Sequence, residues 1–376
     1  MQKIKELLFF SYGDANDAST WSNVPYCFSK ALEKKGIKVH RANLELTGIK
    51  RAIWNRTISK LLKIWWPKHD YSFIRSCIAQ GIINRRIKKY VHKYPTADFC
   101  MFLMFGYYNK YSTIPSLLFG DWTYEMKIQE RLGRKPYFFE KRTIRQETES
   151  LHKANILIPL FPKTAANFRL NGLKNVYEYT HNVVNILYDG IIDNNIIEEK
   201  KSSNRILFIG RHEYIEGAKL LIESFKILKR KFLRLELHIV GLNTDSFLNL
   251  PQNVYCYGFL HKDIQHENQI YYDLLKSAKV FVNPTPQWAG FSSMVEAMYF
   301  YTPIVVSKYP DFVSYFGEKL NCGSYSEENN SEYLSETISS ILSSEQYNNL
   351  ALASHDNVKE YSWDNYIDWL LQIMQQ

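Results

Sequence analysis

Residues 280–307, VFVNPTPQWAGFSSMVEAMYFYTPIVVS, constrain the fold of this chain more than any other segment. Val280–Asn283 is a short, continuous apolar run, the pattern of a parallel strand buried on both faces. Pro284, Pro286 and Gly290 break the chain into a loop. Ser292 and Ser293 are favoured helix-capping residues, so a helix starts there and carries Glu296, Ala297 and Met298. Thr302-Pro303 ends it, and Ile304–Val306 is the next buried strand. A helix N-terminus at the carboxyl end of a parallel strand attracts anions, because free N–H groups and the macrodipole both favour a phosphate. Glu296, one turn further on, is placed to accept two ribose hydroxyls. The same residues also fit an ordinary strand–helix–strand unit with Glu296 in solvent.

The rest of the chain repeats this grammar. Leu7–Ser11 reads as a first strand, residues 12–26 as a long polar loop, and Cys27–Lys35 as a helix ended by Gly36. Lys38–Arg41, Phe99–Phe105, Ile156–Leu160 and Val176–Tyr179 read as further strands. Asp121 follows the apolar run Leu117–Gly120, and Pro162 begins a helix. The polar, aperiodic stretch from Ile186 to Ser203 reads as the region of a linker. A second series follows: strands Arg205–Ile209, Leu235–Val240 and Val254–Tyr257, and helices Ala218–Lys231 and Tyr271–Ser277. A last helix is predicted over Asn357–Met374. The domains are expected at 1–188 and 204–355, joined by a linker at 189–203, with a C-terminal helix at 356–376. Two consecutive α/β series predict two facing Rossmann-like domains. Ligands bind outside the carboxyl ends of such strands, so both domains would offer loops to one central cleft.

At 376 residues and 45% apolar content the chain can fill two cores. The five cysteines are scattered, without a CxxC pair, which argues against a disulfide framework or zinc site and fits a cytosolic protein. No stretch approaches the roughly 20 apolar residues of a spanning helix. The net charge of +9 is unevenly placed. Lys50–Lys93 holds twelve basic residues and one acid, Asp70, interleaved with Trp54, Ile58, Leu61, Ile64, Trp65 and Trp66. That mixture suits an anionic membrane surface. A solvated amphipathic cover remains the alternative, and a nucleic-acid groove is disfavoured.

Residues 284–306 resemble the donor-site motif of retaining glycosyltransferases of the GT-B fold, in particular the large family 4. Pro284-Thr285, Glu296-Ala297 and Thr302-Pro303-Ile304-Val305-Val306 align without a gap. Asn204–Gly217, Ala218–Gly241, Asn253–Gly258 and Tyr361-Ser362-Trp363 extend the resemblance over the second half. Thr20–Leu32 and Asp121-x-Thr123 look like segments of one bacterial branch. The resemblance implies a last helix that crosses back to the first domain. It also implies transfer from a nucleotide diphosphate sugar with retention, without cofactor or essential metal, which agrees with the lack of a DxD motif.

The resemblance assigns roles as well. Glu296 would hold the ribose, Arg211 the diphosphate, and Ser292, Ser293, Gly290 and Phe291 the helix N-terminus beside it. Gly258 and Phe259 begin the base-binding loop. The family's second phosphate cation falls on Glu216, so Lys219 is the candidate replacement. The family's first Glu falls on Trp288, with Gln287 beside it as a substitute hydrogen-bond partner. Trp288 is expected to wall the sugar. Asn23 stands where the family loop has Gly, a position that asks for a left-handed backbone. Asp121 would orient the acceptor hydroxyl or serve as its base, with helix capping as its structural alternative. His181 and Asn182 lie near the family's Asn-Gly before the linker. The expected activity is glycosyl transfer to a glycan or lipid-linked glycan in cell-surface polysaccharide synthesis, lipopolysaccharide or capsule, at the inner face of the cytoplasmic membrane. A non-catalytic glycan or partner binder and a nucleotide-sugar epimerase are the alternatives.

Overall fold

The computed structural model describes residues 3–179, 183–188, 190–286 and 291–376, apart from the side chain of Asp311. The chain divides into one unit of Met1–Tyr179 with Ile367–Gln376, and a second of Thr180–Tyr366.

The first unit contains β1 (Glu6–Ser11), β2 (Lys38–Asn43), β3 (Phe99–Phe102), β4 (Ser116–Gly120) and β5 (Ile156–Pro159). They form one parallel sheet in the order β2-β1-β3-β4-β5. The order reverses at β1 and β3, which makes their carboxyl ends the topological switch point. Both faces are buried, because alternate residues go to opposite cores. Leu8, Phe10, Cys100, Phe102 and Leu118 pack with the helix Cys77–Lys93. On the other face Phe9 and Phe119 meet the ring of Phe28, at 5.7 and 5.4 Å. The end of the last helix belongs to this unit: Asp368 pairs with Lys35 at 2.6 Å, and the Trp369 ring lies 5.1 Å from Tyr179.

The second unit contains β6 (Arg205–Ile209), β7 (Glu236–Val240), β8 (Val254–Cys256), β9 (Val280–Asn283), β10 (Ile304–Ser307) and β11 (Gly323–Ser326). This sheet is also parallel, in the order β11-β10-β9-β6-β7-β8, with its switch point between β9 and β6. Ile206, Phe208, Val280, Val282 and Val305 face one core, and Leu207, Phe281, Ile304 and Val306 the other.

Three expectations change. Val176–Tyr179 makes only an isolated bridge, Leu157 to Val176, rather than a strand. The predicted helix over Asn357–Met374 begins only at Trp363, and a separate, unpredicted helix, Tyr347–Asp356, precedes it. The Tyr361 carbonyl between them accepts the Val184 N–H at 2.8 Å and so leaves the helical ladder. Within the stretch read as linker, Ile196–Ser202 is helical. Its Lys200 is fully buried and donates to Leu275 O, Ala278 O and Thr302 Oγ1 at 2.6, 3.0 and 2.8 Å. These three acceptors match the three ammonium protons, and two are carbonyls at the end of the helix Gln265–Ser277, where a cation suits the dipole.

Candidate functional site

In the second unit the sequence-predicted residues gather at the switch point. Arg211 follows β6 and is exposed, its guanidinium 4.3 Å over the Phe259 ring. No carboxylate pairs with it among the described residues. Phe259 follows Gly258, whose φ of +66° and close approach to Asn243 Oδ1, 2.3 Å from where a Cβ would stand, exclude a side chain. The helix Phe291–Tyr299 begins one residue before the predicted capping serines. Ser292 Oγ accepts from Asn185 Nδ2 at 3.3 Å, and Ser293 Oγ donates to Ile209 O at 3.3 Å. The Phe291 ring is buried against Phe312, Tyr315 and Phe316, so only its backbone is left to face a ligand.

Glu296 is buried, not solvated. Lys262 Nζ donates to both of its oxygens, at 2.7 and 2.8 Å, and Tyr271 Oη donates to Oε2 at 2.6 Å. Burial, then the Glu296 charge, raises the Tyr271 phenol well above its usual range and keeps it a donor. Lys262 was not foreseen from the sequence. It lies 34 residues from Glu296, in a loop without periodicity, and no local pattern joins the two. Lys219 does not point to the helix N-terminus. It pairs with Glu216 at 2.8 Å, both largely exposed. Gly217 allows its own helix, Ile215–Leu228, to approach the loop after β9, since a Cβ there would meet Thr285 Oγ1. Gln287, Trp288 and Gly290, like His181 and Asn182, lie outside the described residues.

The first unit holds the other candidates, also beyond the carboxyl ends of its strands. Trp21, Ser22 and Asn23 have φ of 38°, 53° and 69°, three consecutive residues in the left-handed region. This fits the reading of Asn23, and such strain persists only where the surroundings impose it. Asn23 is 7% exposed, and its Nδ2 has no hydrogen-bond partner among the described residues. The Trp21 ring lies 5.8 Å from Phe119 of β4. Asp121 follows β4 and accepts the Trp122 N–H on Oδ1 at 2.7 Å. Helix capping falls to Thr123, whose Oγ1 accepts the Met126 N–H at 3.2 Å. Asp121 keeps contact with solvent but is crowded by protein, and that desolvation raises its carboxyl above the usual range.

Beneath this loop lies a carboxylate the sequence did not reveal. Glu147 is buried in the helix Lys141–Lys153 and accepts the Tyr124 N–H at 2.6 Å. Burial pushes its carboxyl up to about 7, and the Asp121 charge adds to that while Arg75 opposes it. The Arg75 guanidinium stands 3.9 Å over the Tyr124 ring. Glu140, also buried, takes Arg134 on both oxygens at 2.7 Å. The described residues contain no group of three or more His, Cys, Asp or Glu side chains placed to hold a metal ion.

Comparison with known proteins gives the fold and chemistry a name. The family model described as "Glycosyl transferases group 1" matches residues 192–360. No curated protein matches the chain. Among solved structures, the sucrose-phosphate synthase of Thermosynechococcus elongatus is similar at a TM-score of 0.67 and 16% identity, over 99% of this chain and 98% of that one. WaaG, a glycosyltransferase involved in lipopolysaccharide biosynthesis, is similar at 0.66 and 14%, over 98% and 99%. Anabaena HepE, solved in complex with UDP and glucose, is similar at 0.58 and 14%, over 97% and 99%. At these identities the likeness is one of fold: two Rossmann-like domains of the GT-B type. The chain has the GT-B fold, and its second unit carries a group 1 glycosyl transferase domain.

Proposed function

We propose that the protein transfers a hexose-type unit from a nucleoside diphosphate sugar to a hydroxyl of a glycan or lipid-linked glycan, with retention and without an essential divalent metal. The observation that carries this reading is the placement at one switch point of Arg211, exposed at the end of β6, and Glu296, in the helix that follows β9. Arg211 takes the diphosphate bidentately and steadies the leaving group as charge develops, the work a metal does elsewhere. The N–H groups of the helix from Phe291 assist, and Glu296 takes the ribose. In the first unit, the left-handed Trp21–Asn23 loop and Asp121 are the candidates for binding the acceptor. HepE, with UDP and glucose bound, supports a nucleotide-sugar donor by analogy of fold.

The deciding experiment is a thermal-shift screen of UDP-, GDP-, ADP- and CMP-sugars. A true donor at 100 times its dissociation constant adds about 2.7 kcal/mol of stability. A screen in which none stabilises the protein overturns the reading. Arg211→Ala is expected to cost about 1.5–3 kcal/mol in affinity for the nucleoside diphosphate, the scale of a charged hydrogen bond, and much less for the nucleoside. Equal weakening of both, read by calorimetry, makes Arg211 structural.

The acceptor is expected at a membrane. The helices Ile49–Arg56 and Ile58–Trp65 present Ile49, Ile53, Leu61, Ile64 and Trp65 to solvent, Trp65 at 73%. Lys50, Arg56, Lys60 and Lys63 are exposed among them. The helix Ile58–Trp65 buries no residue of its own. The surface is smaller than the sequence suggested. Trp54 is buried, and Trp66 packs on Phe138 and Phe139 at 5.8 and 5.3 Å. No helix among the described residues is long and apolar enough to cross a membrane. Anionic lipid attracts such a face by about 1 kcal/mol per basic residue. Co-sedimentation with liposomes is therefore expected to rise with anionic lipid content and to fall in Ile64→Glu/Trp65→Glu. Sedimentation indifferent to lipid charge refutes the docking face.

A further inference from the structure

Glu296 spends most of its hydrogen-bonding capacity inside the protein. A carboxylate offers about four lone-pair sites. Lys262 occupies one on each oxygen and Tyr271 a second on Oε2. The single site left on Oε1 cannot take the paired hydroxyls of a ribose. The side chains of Lys262 and Glu296 are 10% and 3% exposed, so the ammonium also covers the carboxylate. The Lys262 ammonium is lightly tethered elsewhere. Its other hydrogen bond, to Asn185 O, is 3.4 Å long, and it stands 4.4 Å over the Tyr271 ring. Lys262 sits in the loop between β8 and the helix Gln265–Ser277, outside any ladder, where its carbonyl accepts from Asn268 Nδ2 at 2.7 Å and the side chain is the part free to swing. Position 216, where the resemblance sets a second phosphate cation, is an acid, and Lys219 is paired with it.

We propose that Lys262 is a latch on the ribose seat, exchanged on nucleotide binding. Its ammonium leaves Glu296 as the ribose hydroxyls arrive and moves to the diphosphate, becoming the second phosphate cation beside Arg211. The exchange conserves the pairing of both charges: the carboxylate receives neutral donors, and the ammonium receives an anion. A nucleoside, lacking phosphate, opens the latch without that return, so it binds poorly and the diphosphate carries the affinity. The inference rests on the reading of Glu296 as the ribose residue.

The test uses the full chain and two substitutions of opposite effect, with uridine/UDP and guanosine/GDP as paired probes. Binding is measured by calorimetry below the melting temperature of each variant. Lys262→Met removes the latch. It is expected to tighten nucleoside binding about 10-fold and to shrink the advantage of the diphosphate over the nucleoside by a similar factor. Lys262→Arg closes the latch harder, because a guanidinium forks onto both carboxylate oxygens. It is expected to weaken nucleoside binding without lowering the melting temperature. A residue that merely supports the fold would weaken binding in both variants, in step with lost stability, and that pattern overturns the proposal. If Glu296→Gln abolishes nucleotide binding while Lys262→Met leaves nucleoside affinity unchanged, the ribose seat stands and the latch falls. If nucleotide binding ignores Glu296→Gln and both Lys262 variants, the ribose assignment itself falls.

Discussion

Replacing Glu296 with glutamine is expected to lower the stability of the protein by about 3–5 kcal/mol, the cost of breaking a buried ion pair from one side. The reason lies in what is left behind. Lys262 is left in a nearly dry site facing a neutral amide, whose oxygen still accepts one hydrogen bond but carries no charge, with one long hydrogen bond to Asn185 O and the faces of Tyr271 and Tyr272. Those rings stabilise a cation by about 1–2 kcal/mol, less than the desolvation it has already undergone. For a unit of this size the loss lowers the melting temperature by roughly 10 °C. The double variant Lys262→Met/Glu296→Gln removes both charges and is expected to recover most of the loss, since neutral replacement of a buried pair is often nearly free. Chemical denaturation of the two single variants and the double gives the coupling directly. Single variants with the wild-type midpoint would mean that the pair is solvated, and the Lys262 latch would lose its basis. The same numbers set the conditions for any nucleotide-binding assay on Glu296→Gln, which must be run where the variant is still folded.

The fold was legible where burial is complete on both faces. Arg205–Ile209 and Val280–Asn283 are observed with the predicted bounds, because a doubly buried parallel strand is an unbroken apolar run and cannot be read as half-exposed. The weak places have physical reasons too. Val176–Tyr179 has strand composition but meets its neighbour at one bridge only, and composition does not report how much of an edge is paired. Gly323–Ser326 was missed because GSYS has no apolar pattern. It pairs with β10 through its glycine, where a Cβ would stand 1.9 Å from Ile304 O. The tail has no Gly or Pro to mark where its last helix starts, and the Tyr361 carbonyl just before that start is taken by a distant partner, Val184.

The candidate residues could be named from the sequence one at a time, but not their pairings. Arg211, Gly258, Ser292, Ser293 and Glu296 are named by the resemblance of their segments to the family motif, and the fold sets those segments at the carboxyl ends of the strands. The left-handed backbone at Asn23 follows the expectation from the resemblance, in which Asn stands where the family loop has Gly. Lys262 on Glu296, Lys219 on Glu216 and Glu147 under Tyr124 join residues through the tertiary fold or through rotamer choice. In the helix Lys141–Lys153 only Glu147, Ser150 and Leu151 are buried, so the periodicity that marks a buried face is too sparse to mark Glu147.

Glu147 also makes the first unit sensitive to pH, with a sign fixed by its burial. Its carboxyl is raised from the ordinary 4.5 to about 7. Below pH 4.5 the folded and unfolded chains both hold the proton. Between 4.5 and about 7 the folded protein retains a proton that the unfolded chain has released, so stability falls as pH rises across that window. Each pH unit is worth about 1.4 kcal/mol, and the whole window about 3 kcal/mol. The comparison must isolate Glu147, since burial lowers His69, His238 and His355, and those groups add stability as pH rises toward 6.5. Glu147→Gln does so. Its side-chain oxygen still accepts the Tyr124 N–H, but it has no proton to lose. The difference in unfolding free energy, variant minus wild type, is expected to climb by about 3 kcal/mol from pH 4.5 to pH 8 and then level off. A difference that stays flat over that range would show Glu147 ionised throughout, held by Arg75 rather than neutralised by burial. A rising difference makes the loop above it, with Asp121, Thr123 and Tyr124, a part of the protein that loosens as Glu147 ionises. Activity assayed above neutral pH is then expected to fall first in the wild type and later in Glu147→Gln.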